Sequence, residues 1–218
     1  MEKIIKRSVL LLLMLVFLVP NMQTMAASKK TLNKRALKAY KKVLEKRAFT
    51  WTSSYGSKWR CNAEEFTIID VNRDGIKEMI TQEDKWRTKF LWALKGKKAK
   101  PIAAFGSYQG CGIGYSKTYK AIVFPISMTV GTHADCFIRM KTKTKVTRFE
   151  WGTRYSYDSY TNRTISRSFW YIDGKSVTGS TFWKTAKANP SINRYSKPIT
   201  FYRNSAANRK KMKKLKAY

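Results

Sequence analysis

Three stretches of this chain share one layout. FLWALKGKKAKPI, CFIRMKTKTKVTRF and SFWYIDGKSVTGSTF each place an aromatic-rich run before a short Gly or Lys/Thr turn and a second, more polar run. A strand followed by so short a turn must fold back beside itself, so the layout predicts antiparallel hairpins. Asp173-Gly174 carries this most directly, because the pair tolerates the positive φ angles of a type I′ turn. The copies are irregularly spaced, which fits a meander and not a solenoid array. YKAIVFPISMTV reads as a further strand in which Pro125, lacking an N–H, requires an edge or a bulge. KPITFYRN reads as the last strand.

Ahead of these units, TLNKRALKAYKKVLEKRA (31–48) carries Leu32, Ala36, Tyr40, Val43 and Leu44 at three- and four-residue steps, with Thr31 placed to cap it. Its other face holds Lys34, Arg35, Lys38, Lys41, Lys42, Lys46 and Arg47. The spacing predicts an amphipathic helix whose apolar stripe lies on a sheet. Residues 49–65, 107–116 and 155–163 read as loops, and TFWKTAKANP as one short helical turn. The basic segment 204–218 reads as a short helix or frayed tail, capped by Asn204 or Ser205. The expected class is α+β: an N-terminal amphipathic helix packed on an antiparallel β-meander of hairpins, about six to nine strands, with a short basic C-terminal helix or tail.

The N-terminus has the pattern of an export leader. Lys3, Lys6 and Arg7 precede an apolar run from Ser8 to Pro20, and small residues follow at Ala26 and Ala27. That run is shorter than the roughly 20 residues of a membrane span. The expected organisation is a signal peptide over 1–27 and a single secreted domain over 28–218, with helix 31–48, a β-rich body 66–203 and a basic tail 204–218. The chain carries 45 Lys and Arg against 13 Asp and Glu, a net charge of +32. Such a surface repels itself, and it either serves to keep the chain soluble or meets polyanions: an anionic cell-wall polymer, lipid headgroups or nucleic acid. Three cysteines, Cys61, Cys111 and Cys136, permit one disulfide at most and match no zinc spacing. His133 is the one histidine, which removes any site built on two imidazoles.

The stretch DVNRDGIKEMI places side-chain oxygens at Asp70, Asn72, Asp74 and Glu78, a glycine at Gly75 and a backbone carbonyl at Ile76. This spacing can wrap hard oxygen ligands round a calcium ion, and it equally makes a tight turn of short polar side chains. The helix–loop–helix form of such a site needs a Glu where Thr81 stands, and the flanks read as strands. The motif D-x-N-x-D-G-x-x-E resembles the calcium loops of integrin-like repeat proteins and the first half of a dockerin loop. That resemblance implies Asp70, Asn72, Asp74, the Ile76 carbonyl and Glu78 as calcium ligands. More loosely, the order of helix, Asp loop, aromatic strand and the ending ITFYRNSAANRKK resembles a group of secreted proteins of Gram-positive, clostridia-like bacteria that has no assigned activity.

Catalytic candidates are sparse. GTHADC puts His133 near Asp135 and Cys136, but strand alternation turns positions i and i+3 to opposite faces. Glu150 with Asp135 is the one carboxylate pairing to weigh for glycosidase chemistry. Aromatic side chains outside the core are candidates for stacking on sugar rings or bases: Trp51, Tyr55, Trp59, Tyr155, Tyr157 and Tyr160. Two functions follow as expectations. One is an extracellular, basic, non-catalytic binding or surface-associated protein stabilised by calcium; the other is a secreted hydrolase or toxin acting on a cell-wall or host polymer.

Overall fold

The computed structural model describes residues 27–53, 56–83, 88–106, 112–129, 132–189, 192 and 196–218, with the side chains of 126–129, 132, 133 and 158 outside the description. The expected leader, apart from position 27, lies outside the described residues, as do Tyr55 and Cys111. No helix among the described residues is long and apolar enough to cross a membrane. The class is mixed α+β, with antiparallel strand pairs and three helices among the described residues.

Helix α1 spans Lys29–Lys46. Its cap is Ser28, not Thr31: the Thr31 N–H donates to Ser28 Oγ at 3.3 Å. It stops where Arg47 turns to a φ of 57°, and the chain passes directly into strand. The stripe read from the sequence is the buried one, with Ala36, Tyr40 and Leu44 fully covered.

Strands β1 (Ala48–Thr52) and β2 (Lys58–Asn62) form a hairpin where a loop was expected. Strands β3 (Glu65–Ile69), β4 (Glu78–Gln82), β5 (Lys89–Lys95) and β6 (Lys98–Phe105) form a five-stranded sheet with β14 (Tyr202–Arg203), in the order β14-β3-β4-β5-β6. A seven-stranded sheet holds β7 (Gly114–Ser116), β8 (Ala121–Thr129), β9 (Thr132–Thr142), β10 (Lys145–Asp158), β11 (Arg163–Ile172), β12 (Lys175–Ser176) and β13 (Ser196–Pro198), in the order β12-β11-β10-β9-β8-β7-β13. Helix α2 is Gly179–Ala186 and helix α3 is Ala206–Lys211, the latter capped by Ser205.

Three apolar clusters order these elements into layers. The central one joins Ile69, Ile80, Leu91 and Phe105 of the five-stranded sheet to Tyr115, Ile122, Phe124 and Ile138 of the seven-stranded sheet. A second lies between the outer face of the five-stranded sheet (Phe66, Ile68, Met79, Phe90, Trp92) and α1. A third lies between the outer face of the seven-stranded sheet (Val123, Phe137, Phe149, Trp151) and Phe182 and Ala186 of α2. The order is therefore helix, sheet, sheet, helix. Period-two alternation sends neighbours such as Phe90 and Leu91 to different layers, which is why these strands read as continuous apolar runs.

This corrects the expectation of one helix on one meander. Hairpins do form where predicted, and Asp173 and Gly174 have φ of 50° and 79°, as a type I′ turn requires. Their pairings, however, close two stacked sheets. Residues 155–163 belong mostly to a long β10–β11 hairpin, and 114–116 pair as β7. The segment KPITFYRN is two strands: β13 pairs with β7 and β14 with β3, so one short stretch joins both sheets. Pro125 lies past the end of β7, whose pairing with β8 stops at Gly114↔Val123, and a register shift follows at Ser127/Thr129. The C-terminal tail is docked, not frayed: Met212 and Ala217 are buried, and Tyr218 stacks on Tyr115 at 5.2 Å.

Candidate functional site

The Asp loop joins β3 to β4 along the buried seam beside α1. Arg73 and Gly75 have φ of 59° and 87°, so the chain reverses sharply there. A Cβ at Gly75 would stand 2.9 Å from Cδ of the exposed Lys29 side chain, which is free to turn aside, so the requirement for glycine there is the positive φ. Three side chains from other elements hold the loop backbone. Asn33 of α1 donates to the Gly75 carbonyl at 2.5 Å and accepts from the Lys77 N–H at 2.8 Å. Tyr40 donates to the Lys77 carbonyl at 3.0 Å. From the opposite sheet, Tyr115 donates to the Val71 carbonyl at 2.9 Å. Sequence reading missed Asn33: a polar residue on the sheet-facing side of a helix signals a partner, but not which one.

The oxygens of the motif turn inward. The Gly75 N–H donates to Asp70 Oδ2 at 2.9 Å, the Asp74 N–H to Asn72 Oδ1 at 3.1 Å and the Ile76 N–H to Asp74 Oδ1 at 2.7 Å. Glu78 is 4 % exposed and accepts the Val71 N–H at 2.9 Å. Burial pushes its carboxyl up to about 8, with the charges of Asp74 and Asp70 adding to the rise and the Val71 N–H opposing it. Asp70 Oδ1 is buried and has no hydrogen-bond partner. Beside the loop, a cavity of about 320 Å³ is lined by Asp74, Ile76, Glu78, Leu32, Arg35 and Lys143, among others. Among the described residues, no three His, Cys, Asp or Glu side chains surround a point where they would hold a metal ion. As folded, Asp74 and Glu78 serve backbone N–H groups, and Asp70 Oδ1 is the oxygen left over.

The stacking candidates fall on separate elements. Trp51 and Trp59 lie on the β1–β2 hairpin and line a cleft of about 610 Å³ with Lys58, Arg60, Glu83 and Phe90. Trp59 is 57 % exposed, whereas Trp51 leans on Phe90 at 5.7 Å. Tyr155, Tyr157 and Tyr160 lie at the far end of the β10–β11 hairpin, and Tyr160 is 100 % exposed.

The catalytic candidates are not brought together. Cys136 is fully buried in the central layer, and burial pushes its thiol up to about 12, which removes it as an exposed nucleophile. Its Sγ lies 3.8 Å from Glu150 Oε2, and that carboxylate pairs with Arg148 at 3.3 Å. Asp135 neighbours Cys136 on β9, so alternation turns it to the other face of the sheet from Glu150, and the two carboxylates do not share a cleft. The His133 backbone pairs with Ser127 and Thr153, and its side chain lies outside the described residues. Cys61 and Cys136 are free thiols in different layers.

No protein-family model, no curated protein and no solved structure matches this chain.

Proposed function

We propose that this chain is an exported, non-catalytic binding protein for anionic envelope polymers, with the 70–78 loop closed by a calcium ion. The carrying observation is the outward face of α1. Lys30, Lys34, Arg35, Lys38, Lys41, Lys42 and Lys46 are all exposed along it, and Glu45 is the one acid in the helix. The Lys41–Glu45 pair, at 3.7 Å and half exposed on both sides, neutralises little of that field. A polymer with regularly spaced charges meets this face by releasing its own counter-ions. Trp51 and Trp59, in a cleft that also holds Lys58 and Arg60, suit a polymer whose charges alternate with sugar or polyol units.

For calcium, the supporting feature is the orphaned Asp70 Oδ1 next to a buried Glu78. Both are costs to the fold without a cation, and both are relieved by one. Asp70, Asn72, Asp74, the Ile76 carbonyl and Glu78 would hold it, with Asp74 and Glu78 exchanging an N–H partner for the ion. Binding in the weak range of extracellular modules, roughly 10⁻⁴ to 10⁻³ M, fits a lone loop.

The test is retention of the purified protein on a glycerol-phosphate polymer across a salt series. The expected result is a linear fall of log K with log salt, with a shallower slope in a K34Q/K38Q/K42Q variant. Binding indifferent to salt would contradict the proposal.

A further inference from the structure

The β10–β11 hairpin outruns its neighbour. Pairing of β10 with β9 ends at Arg154↔Thr132, whereas pairing with β11 continues to Asp158↔Arg163. The last four rungs form a two-stranded arm. At its root, Arg154 and Arg167 face each other directly across the two strands. Like charges in that position repel and cost stability, and antiparallel hairpins normally avoid them. Both side chains are exposed, and no carboxylate pairs with either among the described residues. The pair sits over a hollow of about 300 Å³ whose other walls are Ser156, Ser168, Phe169 and Tyr171. The Arg154 guanidinium lies over the Phe169 ring, 5.9 Å from its centroid, which limits where it points.

We infer that Arg154 and Arg167 form a two-pronged site for a phosphate group. The inference deepens the polymer-binding reading and rests on it for the source of the phosphate. A carboxylate carries one negative charge on two oxygens, so two guanidinium forks on it share the same atoms and keep a net positive charge. A tetrahedral oxyanion has oxygens for two forks at once and cancels the repulsion between them. Ser156, two positions from Arg154 and on the same face, adds a hydroxyl donor, and Phe169 with Tyr171, their ring centroids 5.5 Å apart, give an apolar wall for the organic group that carries the phosphate.

The purified protein is titrated with inorganic phosphate at constant ionic strength, with sulfate and acetate as parallel arms, following the arginine Nε–Hε resonances assigned through R154Q and R167Q. Phosphate should move these two resonances saturably, and either substitution should weaken it about tenfold. In chloride alone, each variant should melt at a higher temperature than the parent, since the repulsion is gone; this also shows that the variants fold. Uniform, non-saturating shifts across all arginines, or an unchanged phosphate affinity in R167Q, overturn the inference. Sulfate binding as tightly as phosphate overturns the choice of phosphate. If phosphate shifts do not saturate while K34Q/K38Q/K42Q loses the polymer retention that the parent shows, the inference fails and the polymer reading stands. Saturable phosphate binding by a protein that retains no polymer supports the inference and removes the polymer reading.

Discussion

Asp70 and Gly75 are joined by one hydrogen bond that uses only half of a carboxylate: Oδ2 accepts the Gly75 N–H at 2.9 Å, while Oδ1 is buried with no partner. A carboxylate held in this way is aimed but unsatisfied. Adding about 10 mM calcium should therefore stabilise the protein by about 1.4–2.7 kcal/mol for a dissociation constant of roughly 10⁻³ to 10⁻⁴ M. At this chain length, that is a rise of about 3–10 °C in Tm. Asp70→Asn and Asp74→Ala should abolish the rise while the melting temperature in chelator changes less. A scanning calorimetry series with and without calcium decides it; equal shifts in both conditions would leave the loop a plain turn.

Glu78 sets a pH dependence in the absence of calcium. Its carboxyl titrates near 8 in the fold, well above its ordinary value of about 4.3 in an unfolded chain. The folded state holds the proton more tightly, so the stabilising contribution is complete below about pH 4 and is lost as pH rises through about 8. Glu78→Gln should remove this component. Urea unfolding in chelator at pH 5 and pH 8.5 should show the parent losing more stability than the variant over that interval, on the order of a few kcal/mol. Parallel pH profiles would contradict the assignment.

Cys136 should resist alkylation. It is buried, with a thiol pushed up to about 12 by that burial, and Cys61 is also buried with its thiol raised by burial and by the charge of Glu83. Mass spectrometry after iodoacetamide treatment at pH 8 should find both unmodified in the folded protein and both modified in urea. Rapid labelling of Cys136 in the native state would reopen a role for it as a nucleophile.

Asn204 is a single side chain that fastens three parts of the chain. It is 2 % exposed; its Nδ2 donates to the Leu44 and Ala63 carbonyls, both at 2.8 Å, and its Oδ1 accepts from Arg209 at 2.8 Å. Asn204→Ala leaves two buried carbonyls unpaired and should cost about 2–4 kcal/mol in urea unfolding. Asn204→Asp should cost at least as much, because an ionised carboxylate has no proton to donate. A loss under about 0.5 kcal/mol would show that water replaces the amide.

What could be read from the residues was what local chemistry decides. The α1 stripe, the Asp173-Gly174 turn and the strand-flanked Asp loop each depend on neighbours within a few positions. The stacking of two sheets did not show, because the strands buried on both faces, such as Glu78–Gln82, lose the alternation that would mark an inner side. The β1–β2 hairpin was hidden by a connection longer than a two-residue turn. Of the candidate site, Asp70 to Glu78 was legible as a spacing, whereas Asn33 and Tyr115 reach it from 42 and 44 residues away and only the fold brings them there. The Arg154–Arg167 pair needed the hairpin register, which a reading of 155–163 as loop removed.

The stretch from Ser196 to Arg203 enters one sheet as β13 and leaves through the other as β14, and Ile199 between them donates its N–H to the Ile113 carbonyl at 2.9 Å. Strands β7 and β3, which this stretch fastens, both precede it in the chain. The chain crosses between the sheets once before, from β6 to β7, so this stretch is a second tie across the apolar seam. A chain cut before Ser196 would keep the first crossing and lose the second, leaving its two sheets free to part along the seam.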